Sequence, residues 1–333
     1  MKLLPSNPFF LFFLFFGTLI AVSSSHWLFL WIGMELSLFN LVPLMMATSS
    51  SLSLESTIKY FLVQLFSSIM LITSMMSSFM PSLPILSLLM MSLFMTSMLT
   101  KLSLAPCHFW FPPILSSLSW PMCFLLMTWQ KLVPLFLFMF IFMSPPLKII
   151  SLTIILSSTI SGVSGLNQTQ LRPLLAYSSI NHMSWTMSMI FISPMMSFSY
   201  FFMYSLLLTP LLLMATFFNM KSNNQLFSLF SSNKLFFFTF SILILSLGGL
   251  PPLLGFFPKW LTIYYLANTN TLLIMCVLIF GSLINLYYYL MLIFPFINNL
   301  KLNSLNTFNF MSPSNSMMWL SLGSMAIMPL FFF

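Results

Sequence analysis

The sequence predicts an all-α membrane protein that crosses the bilayer many times. Hydrophobic residues make up 59% of the 333 positions and charged residues only 4%, whereas about a quarter of a soluble domain is charged. Segments such as 9–16 and 135–142 are apolar on every side, which fits helices in lipid and not the alternating strands of a membrane β-barrel. Most of the surface must therefore face lipid or other apolar helices.

The length of the chain sets the number of membrane spans. A spanning helix needs about 20 apolar residues, so the chain has room for about 10 to 12 spans and for no extramembrane domain. We expect a single transmembrane domain over residues 1–333 with about eleven spans, and we interpret the N-terminal apolar stretch as the first helix rather than a leader. The expected spans are 8–22, 27–47, 57–79, 83–111, 118–142, 147–166, 173–193, 195–218, 235–266, 271–294 and 314–332.

Basic residues are distributed unevenly between the two sides of this topology. Only Lys148 falls clearly on the side away from the N-terminus. The residues on the N-terminal side are Lys2, Lys59, Arg172, Lys221, Lys234 and Lys301. The positive-inside rule then predicts that the N-terminus faces the matrix or cytoplasm, and an odd number of spans puts the C-terminus on the opposite side.

Proline interrupts the apolar pattern at two places, one in each half of the chain. The two segments are KLSLAPCHFWFPP at 101–113 and GGLPPLLGFFPKW at 248–260. Proline disrupts helical hydrogen bonding, and the freed backbone groups are tolerated in a membrane only inside protein or beside water. Paired interrupted helices are typical of inverted-repeat transporters, although two unrelated kinks would leave the same pattern.

Four ionisable side chains fall well inside the expected spans: Glu35, Lys101, Lys131 and Lys259. A charge at the centre of a bilayer costs roughly 2.5 to 3.5 kcal/mol on insertion scales, so the four together oppose insertion by on the order of 10 kcal/mol. Such groups usually face the bundle interior and mark ion or proton pathways. The alternative is a side chain that reaches the interface from a helix end, and it applies best to Lys259.

Lysine and glutamate together permit a proton relay. Burial disfavours the charged form of a lysine, whereas a nearby carboxylate favours it, so a change at the carboxylate can switch the lysine between holding and releasing a proton. Glu35 is the only acid within the apolar core of a span, and it is the natural partner of Lys101 or Lys131. We therefore predict that Glu35 and the three lysines carry protons.

Two histidines could join such a relay, because a neutral imidazole accepts and donates a hydrogen bond at the same time. His108 follows Lys101 by seven residues, so the two share a helix face if the helix continues past Pro106. His182 lies in the middle of a span. The alternative for both is a hydrogen-bonded histidine that only contributes to packing.

Glu55 and Lys59 are spaced for an ion pair at the mouth of the third span. Their i, i+4 separation brings oppositely charged side chains together on a helix. The pair could mark a point where protons enter, but an interfacial salt bridge is the simpler interpretation.

Other functional classes find little support in the sequence. The net charge is +8, but the basic residues are scattered singly, so we expect no nucleic-acid partner. Cys107, Cys123 and Cys276 form no CxxC pair, which argues against an iron–sulfur site. No glycine-rich nucleotide loop is present either. We therefore expect no cofactor and no metal on this chain, with any redox chemistry located elsewhere.

Six segments resemble, in order, the subunit 2 family of mitochondrial NADH:ubiquinone oxidoreductase (complex I) in its short animal form. They extend from about residue 27 to residue 265, and together they are specific although each alone is weak. The segments are WIGMELSLFNLVPLM (31–45), ESTIKYFLVQ (55–64), KLSLAPCHFWFP (101–112), LMTWQKLVPL (126–135), GLNQTQLRPLLAYSSINHMSW (165–185) and GGLPPLLGFFPKW (248–260).

This resemblance implies an antiporter-like subunit of the membrane arm that translocates protons. It implies that other complex I subunits carry FMN, iron–sulfur clusters and the ubiquinone reaction, and that further antiporter-like subunits and membrane lipids flank this chain in the mitochondrial inner membrane. Enzymatically, the chain would be a subunit of a proton-translocating NADH:ubiquinone reductase without redox chemistry of its own. The family's proton-carrying residues correspond here to Glu35, Lys101, Lys131, Lys259, His108 and His182.

The sequence departs from the family pattern at three positions: Pro113 stands where an acid is frequent, Cys107 replaces an aromatic residue, and Ser184 replaces a glycine. The missing acid puts a loop contact in doubt. Residues after about 270 carry no motif. Two other functions stay open, namely an independent sodium/proton antiporter and a structural spacer whose charges move no protons.

Overall fold

The computed structural model describes residues 6–47, 50–76, 84–141, 147–190, 192–217, 234–269 and 271–300. Most of these residues form helices, and none of them lies in a β-strand. The all-α fold is therefore confirmed. The expected last span, 314–332, lies outside the described residues.

The helices form two compact units, Met1–Pro146 and Leu147–Phe333. That the whole chain forms one transmembrane domain stays a prediction.

The first unit contains seven α-helices in its described residues. α2 lies against α1 and α3, while α4 lies against α3 and α7. A π-helical segment, Leu125–Trp129, joins the short α6 to α7, so that one continuous helical rod crosses this unit. The helices are α1 (Asn7–Ser23), α2 (Trp27–Met46), α3 (Ser51–Met76), α4 (Pro84–Leu102), α5 (Phe111–Ser117), α6 (Trp120–Phe124) and α7 (Gln130–Ile141).

The helices α1 and α2 touch through their backbones at two glycines. A Cβ atom built on Gly33 would lie 2.6 Å from the carbonyl oxygen of Gly17 and 2.7 Å from the backbone nitrogen of Ala21. Gly17 and Ala21 stand four residues apart, so they lie on one face of α1. Small residues at this spacing are what permits close helix packing within a membrane.

The proline-rich segment of the first half ends a helix instead of kinking it. α4 stops at Leu102, Ser103 adopts a φ of 58°, and α5 begins only at Phe111. The single span expected over 83–111 is therefore wrong in its second part, because the chain turns after Leu102. Lys101 lies in the last turn of α4.

The second unit contains six helices in its described residues. α9 lies at its centre and contacts α8, α10, α12 and α13. It is also the most polar of these helices, and its hydroxyls bond back to carbonyls one turn earlier, as Ser178 does with Leu175. The helices are α8 (Leu147–Leu166), α9 (Leu171–Ile190), α10 (Pro194–Phe217), α11 (Lys234–Gly248), α12 (Phe256–Asn268) and α13 (Leu272–Leu300).

The proline-rich segment of the second half also separates two helices. α11 ends at Gly248 and α12 begins at Phe256, so the expected span 235–266 is in fact two helices. Gly249 has a φ of +85°, which favours glycine at the end of a helix. Both interruptions predicted from proline are thus present as breaks.

Six helices in the described part of the chain are long and apolar enough to cross a membrane, and three shorter apolar helices accompany them. The bounds of α1, α2, α8, α9 and α10 agree with the sequence expectation to within three residues, whereas α13 ends at Leu300, six residues later than expected. α3 begins at Ser51, earlier than expected, so Glu55 and Lys59 lie within its first turns.

Candidate functional site

Two of the predicted lysines line one small cavity in the first unit. Lys101 is 7% exposed and Lys131 only 1% exposed. The cavity between them has a volume of about 20 Å³, enough for about one water molecule. Its other polar lining residues are Thr18, Ser37, Tyr60, Gln64, Trp110, Trp129 and Gln130.

The π-helical segment and the break after α4 together position Lys131. The lysine is the second residue after the π turn, and such turns occur frequently at functional sites. Its Nζ lies 4.5 Å from the centroid of the Phe111 ring. Phe111 is the first residue of α5, so the end of the break presents an aromatic face to the ammonium group. A desolvated cation over such a ring gains about 2 kcal/mol.

Glu35 lies beside Lys101 without forming a direct salt bridge. The Nζ of Lys101 is 3.8 Å from the Sδ of Met34, the residue before Glu35 on α2. Glu35 is 6% exposed and interacts electrostatically with both Lys101 and Tyr60. Among the described residues, only Lys59 and Glu55 form an ion pair within 4.0 Å. Glu35 therefore interacts with Lys101 through its charge, although the two side chains do not form an ion pair within 4.0 Å.

His108 lies in the break between α4 and α5 and is 2% exposed. The expectation that a continuous helix puts it on the face of Lys101 is wrong, because α4 ends at Leu102. Its ring contacts Phe109 at 4.2 Å between centroids. It does not line the cavity shared by the two lysines, and its part in a relay stays a prediction.

Lys259 is buried at the break of the second unit. It is 4% exposed, and its Nζ donates hydrogen bonds to the carbonyl oxygens of Gly248 at 2.7 Å and Leu247 at 3.4 Å. The side chain of Lys259 therefore folds onto the end of α11, and its part in a relay stays a prediction.

His182 contacts two tyrosines of α10 in the second unit. Its Nδ1 lies 3.1 Å from the hydroxyl of Tyr200, and its ring stacks on Tyr204 at 4.7 Å. Tyr200 also lines a cavity of about 10 Å³ together with Pro258, the residue before Lys259. The imidazole thus has a hydroxyl with which it could exchange a proton.

Sequence reasoning missed these tyrosines and also Tyr60 and Gln64. The available signal was the i, i+4 spacing of each pair, Tyr60 with Gln64 and Tyr200 with Tyr204, within otherwise apolar helices. Residues four apart share a helix face, and all four side chains are buried.

The charged pair on α3 lies apart from these sites. The Nζ of Lys59 is 2.5 Å from the Oε1 of Glu55, and both side chains are more than half exposed. The geometry is that of an ordinary surface ion pair, which contributes about 0 to 1 kcal/mol. A role in proton entry stays a prediction.

Metal-binding clusters were not expected on this chain. In the described ranges, no group of three or more His, Cys, Asp or Glu side chains is arranged to hold a metal ion. None of the three cysteines forms a disulfide bond.

The fold and the site together define a class of protein: a polytopic membrane protein with interrupted helices and ionisable groups buried in its interior. In membrane proteins such groups are usually functional. A family model described as "NADH:quinone oxidoreductase/Mrp antiporter, TM" matches residues 24–285. The chain belongs to this family, and within it to the chain 2 subunits of NADH-ubiquinone oxidoreductase.

Curated relatives match nearly the whole chain. NADH-ubiquinone oxidoreductase chain 2 of Anopheles gambiae is 39% identical over 337 residues, covering 98% of this chain and 98% of the relative. The same protein of Lumbricus terrestris is 38% identical over 281 residues, covering 84% and 83%.

Solved structures agree in fold. A chain of respiratory complex I from Thermus thermophilus superposes with a TM-score of 0.80 at 21% identity, covering 97% of this chain and 77% of that one. A chain of the Mrp complex from a Dietzia species superposes with a TM-score of 0.75 at 15% identity, covering 86% and 59%. At these identities the similarity is evidence for the fold alone.

Proposed function

We propose that this chain translocates protons across the mitochondrial inner membrane as a membrane-arm subunit of respiratory complex I. Family membership supports the assignment to the complex, and the buried lysines support the activity. The observation that carries the proposal is that Lys101 and Lys131, both more than nine-tenths buried, line one water-sized cavity. A lysine pair with room for water between its members can pass a proton along hydrogen bonds.

In the first unit, Glu35 controls the proton affinity of Lys101. A carboxylate near a buried ammonium favours the charged form, so neutralising or displacing Glu35 promotes release of the proton from Lys101. Water in the cavity then carries the proton towards Lys131, with the hydroxyl of Tyr60 and the amide of Gln64 as further hydrogen-bond partners. His108 is a further candidate member of the relay, and the Glu55–Lys59 pair is a candidate point at which protons enter.

In the second unit, Lys259 and His182 hold and pass the proton. The hydrogen bond between His182 and Tyr200 fixes the orientation of the imidazole, and Tyr200 lines a small cavity together with Pro258, the residue before Lys259. Electron transfer from NADH to ubiquinone takes place in other subunits, which carry the FMN and iron–sulfur clusters. The distribution of basic residues orients the N-terminus to the matrix and the C-terminus to the intermembrane space.

Replacing Tyr200 with phenylalanine is expected to lower proton translocation about fivefold. The substitution removes one hydrogen bond of about 1 kcal/mol to the His182 Nδ1 and leaves the ring in place. Protons moved per NADH oxidised, measured in membrane vesicles, test this. Tyr264→Phe is the control, because Tyr264 is 56% exposed. Equal rates in both variants would show that His182 needs no hydroxyl partner.

The proposed function itself is tested by Lys131→Ala in the assembled complex. We expect proton translocation to fall on the order of tenfold, less than the roughly hundredfold typical of a removed proton-transfer group, because water can occupy the vacated space. Proton uptake and NADH oxidation should be measured per assembled complex. Lys148→Ala is the matched control, since Lys148 is exposed at the start of α8.

Normal proton translocation by assembled Lys131→Ala would contradict the relay. The chain would then be a structural spacer within the membrane arm, and its buried lysines would only contribute to packing.

A second candidate function is an independent cation/proton antiporter. It is favoured by the fold shared with a chain of the Mrp complex and by the description of the matching family. The two functions differ in assembly. A complex I subunit migrates with a large NADH-oxidising assembly in native gels, whereas an independent antiporter exchanges cations for protons in vesicles that contain this chain alone.

A further inference from the structure

The carboxyl end of α11 has all of its terminal carbonyl groups bonded. The backbone nitrogen of Leu250 bonds to the carbonyl of Leu245, and that of Gly249 bonds to the carbonyl of Ser246. These are the two hydrogen bonds of a Schellman motif, and they leave the next two carbonyls of the helix without a backbone donor. Lys259 donates to both of those carbonyls, on Leu247 and Gly248.

No acidic side chain belongs to the unit that contains Lys259. The sequence has only two acids, Glu35 and Glu55, and both precede residue 147 where the second unit begins. A helix carboxyl end carries about half a negative charge on its terminal carbonyls. The end of α11 is therefore the negative pole against which the chain holds this ammonium group.

Gly249 keeps the space beside the ammonium group open. A Cβ atom at this position would lie 2.8 Å from the Nζ of Lys259 and 3.0 Å from its Cδ. The φ of +85° is also a conformation that side chains other than glycine rarely adopt. The neighbouring Gly248 differs, because a Cβ there would make its nearest contact at 3.4 Å, with Cδ2 of Tyr289.

We propose that the carboxyl end of α11 is the counter-charge of Lys259 and that Gly249 is a positioning residue for this lysine. The inference rests on the proposed function, since it explains how the second unit holds a proton without an acid. When Lys259 carries its proton, it bonds both terminal carbonyls of α11. When it releases the proton, the charge is lost and those bonds weaken. The hydrogen bonding at the break after Gly248 therefore depends on whether Lys259 is protonated.

The test compares two substitutions at Gly249 with one at Gly162, all in the assembled complex. Gly249→Ala introduces both the close contact with Lys259 and an unfavourable backbone conformation. Gly249→Asn keeps the close contact, whereas asparagine tolerates the left-handed conformation. We expect both substitutions to lower proton translocation per complex about tenfold. This is about the effect of losing one hydrogen bond donated by a charged group. Gly162→Ala on α8, whose Cβ would make its nearest contacts with the side chain of Ile284, should translocate protons at the normal rate.

A Lys259→Ala background separates positioning from general damage. If Gly249 acts through Lys259, then adding Gly249→Asn to Lys259→Ala has no further effect on proton translocation. A further loss in that background, or normal translocation by Gly249→Asn in the native background, would overturn the inference.

The same variants distinguish this inference from the proposed function. Normal translocation by Lys259→Ala alone would contradict the role of Lys259 in the relay. A collapse in Lys259→Ala together with normal rates in both Gly249 variants would leave the relay intact and exclude the positioning role.

Discussion

A complex that carries Lys259→Arg is expected to assemble normally and to translocate almost no protons. The guanidinium group keeps its charge and can donate to the Leu247 and Gly248 carbonyls, so the end of α11 stays bonded. It cannot be deprotonated in a protein, however, and therefore cannot pass a proton on. We expect translocation to fall roughly a hundredfold or more, as for loss of a proton-transfer group.

The measurement is the rate of proton uptake by vesicles during NADH oxidation, normalised to the assembled complex in a native gel. Lys259→Met is the companion variant, because it removes both the charge and the hydrogen bonds. It should lower the amount of assembled complex as well as translocation. Wild-type translocation by the arginine variant would mean that Lys259 never releases its proton during turnover.

The second large effect is expected from Gly33→Ala, and it concerns assembly. The new methyl group would overlap the backbone of α1 at Gly17 and Ala21, and backbone atoms cannot rotate away. The two helices would have to separate along their whole contact. Overpacking of this kind typically costs about 1 to 3 kcal/mol, and a backbone clash lies at or above the upper end of that range.

The amount of assembled complex after a series of mild heating steps measures this effect. Gly162→Ala on α8 is the matched control, because its Cβ would meet only the side chain of Ile284, at 3.3 Å. That side chain can adjust. Equal thermal resistance of the two variants would show that α1 and α2 tolerate a wider separation.

Hydrophobicity alone predicted most of the helices. The bounds of α1, α2 and α8 follow from uninterrupted apolar runs between polar or proline-containing turns. Proline predicted that two helices are interrupted, but not how. A freed carbonyl can lead to a kink or to a turn, and the outcome depends on tertiary partners such as Lys259, which lies eleven residues from Gly248 in sequence.

The sequence predicted which residues form the candidate site but not how they are arranged in space. The free-energy cost of burying a charge in the bilayer identified Lys101, Lys131 and Lys259 as candidates from the sequence alone. Hydroxyl and amide partners were missed, because Tyr60 or Tyr200 in an apolar helix is compatible with simple packing. The placement of His108 failed for a physical reason: helical spacing holds only while the helix continues, and α4 ends before that residue.

The π turn before Lys131 makes this part of the chain sensitive to length. An α-helix rotates about 100° per residue, and a π turn accommodates one residue more than an α turn. The π turn thus absorbs one residue without changing the direction of Lys131, whereas a further insertion between Trp120 and Gln130 would rotate Lys131 by about 100° and turn it away from Phe111. Side chains in this helical rod can therefore be substituted more readily than a residue can be inserted. A substitution changes only local packing, whereas an insertion changes the direction in which Lys131 points.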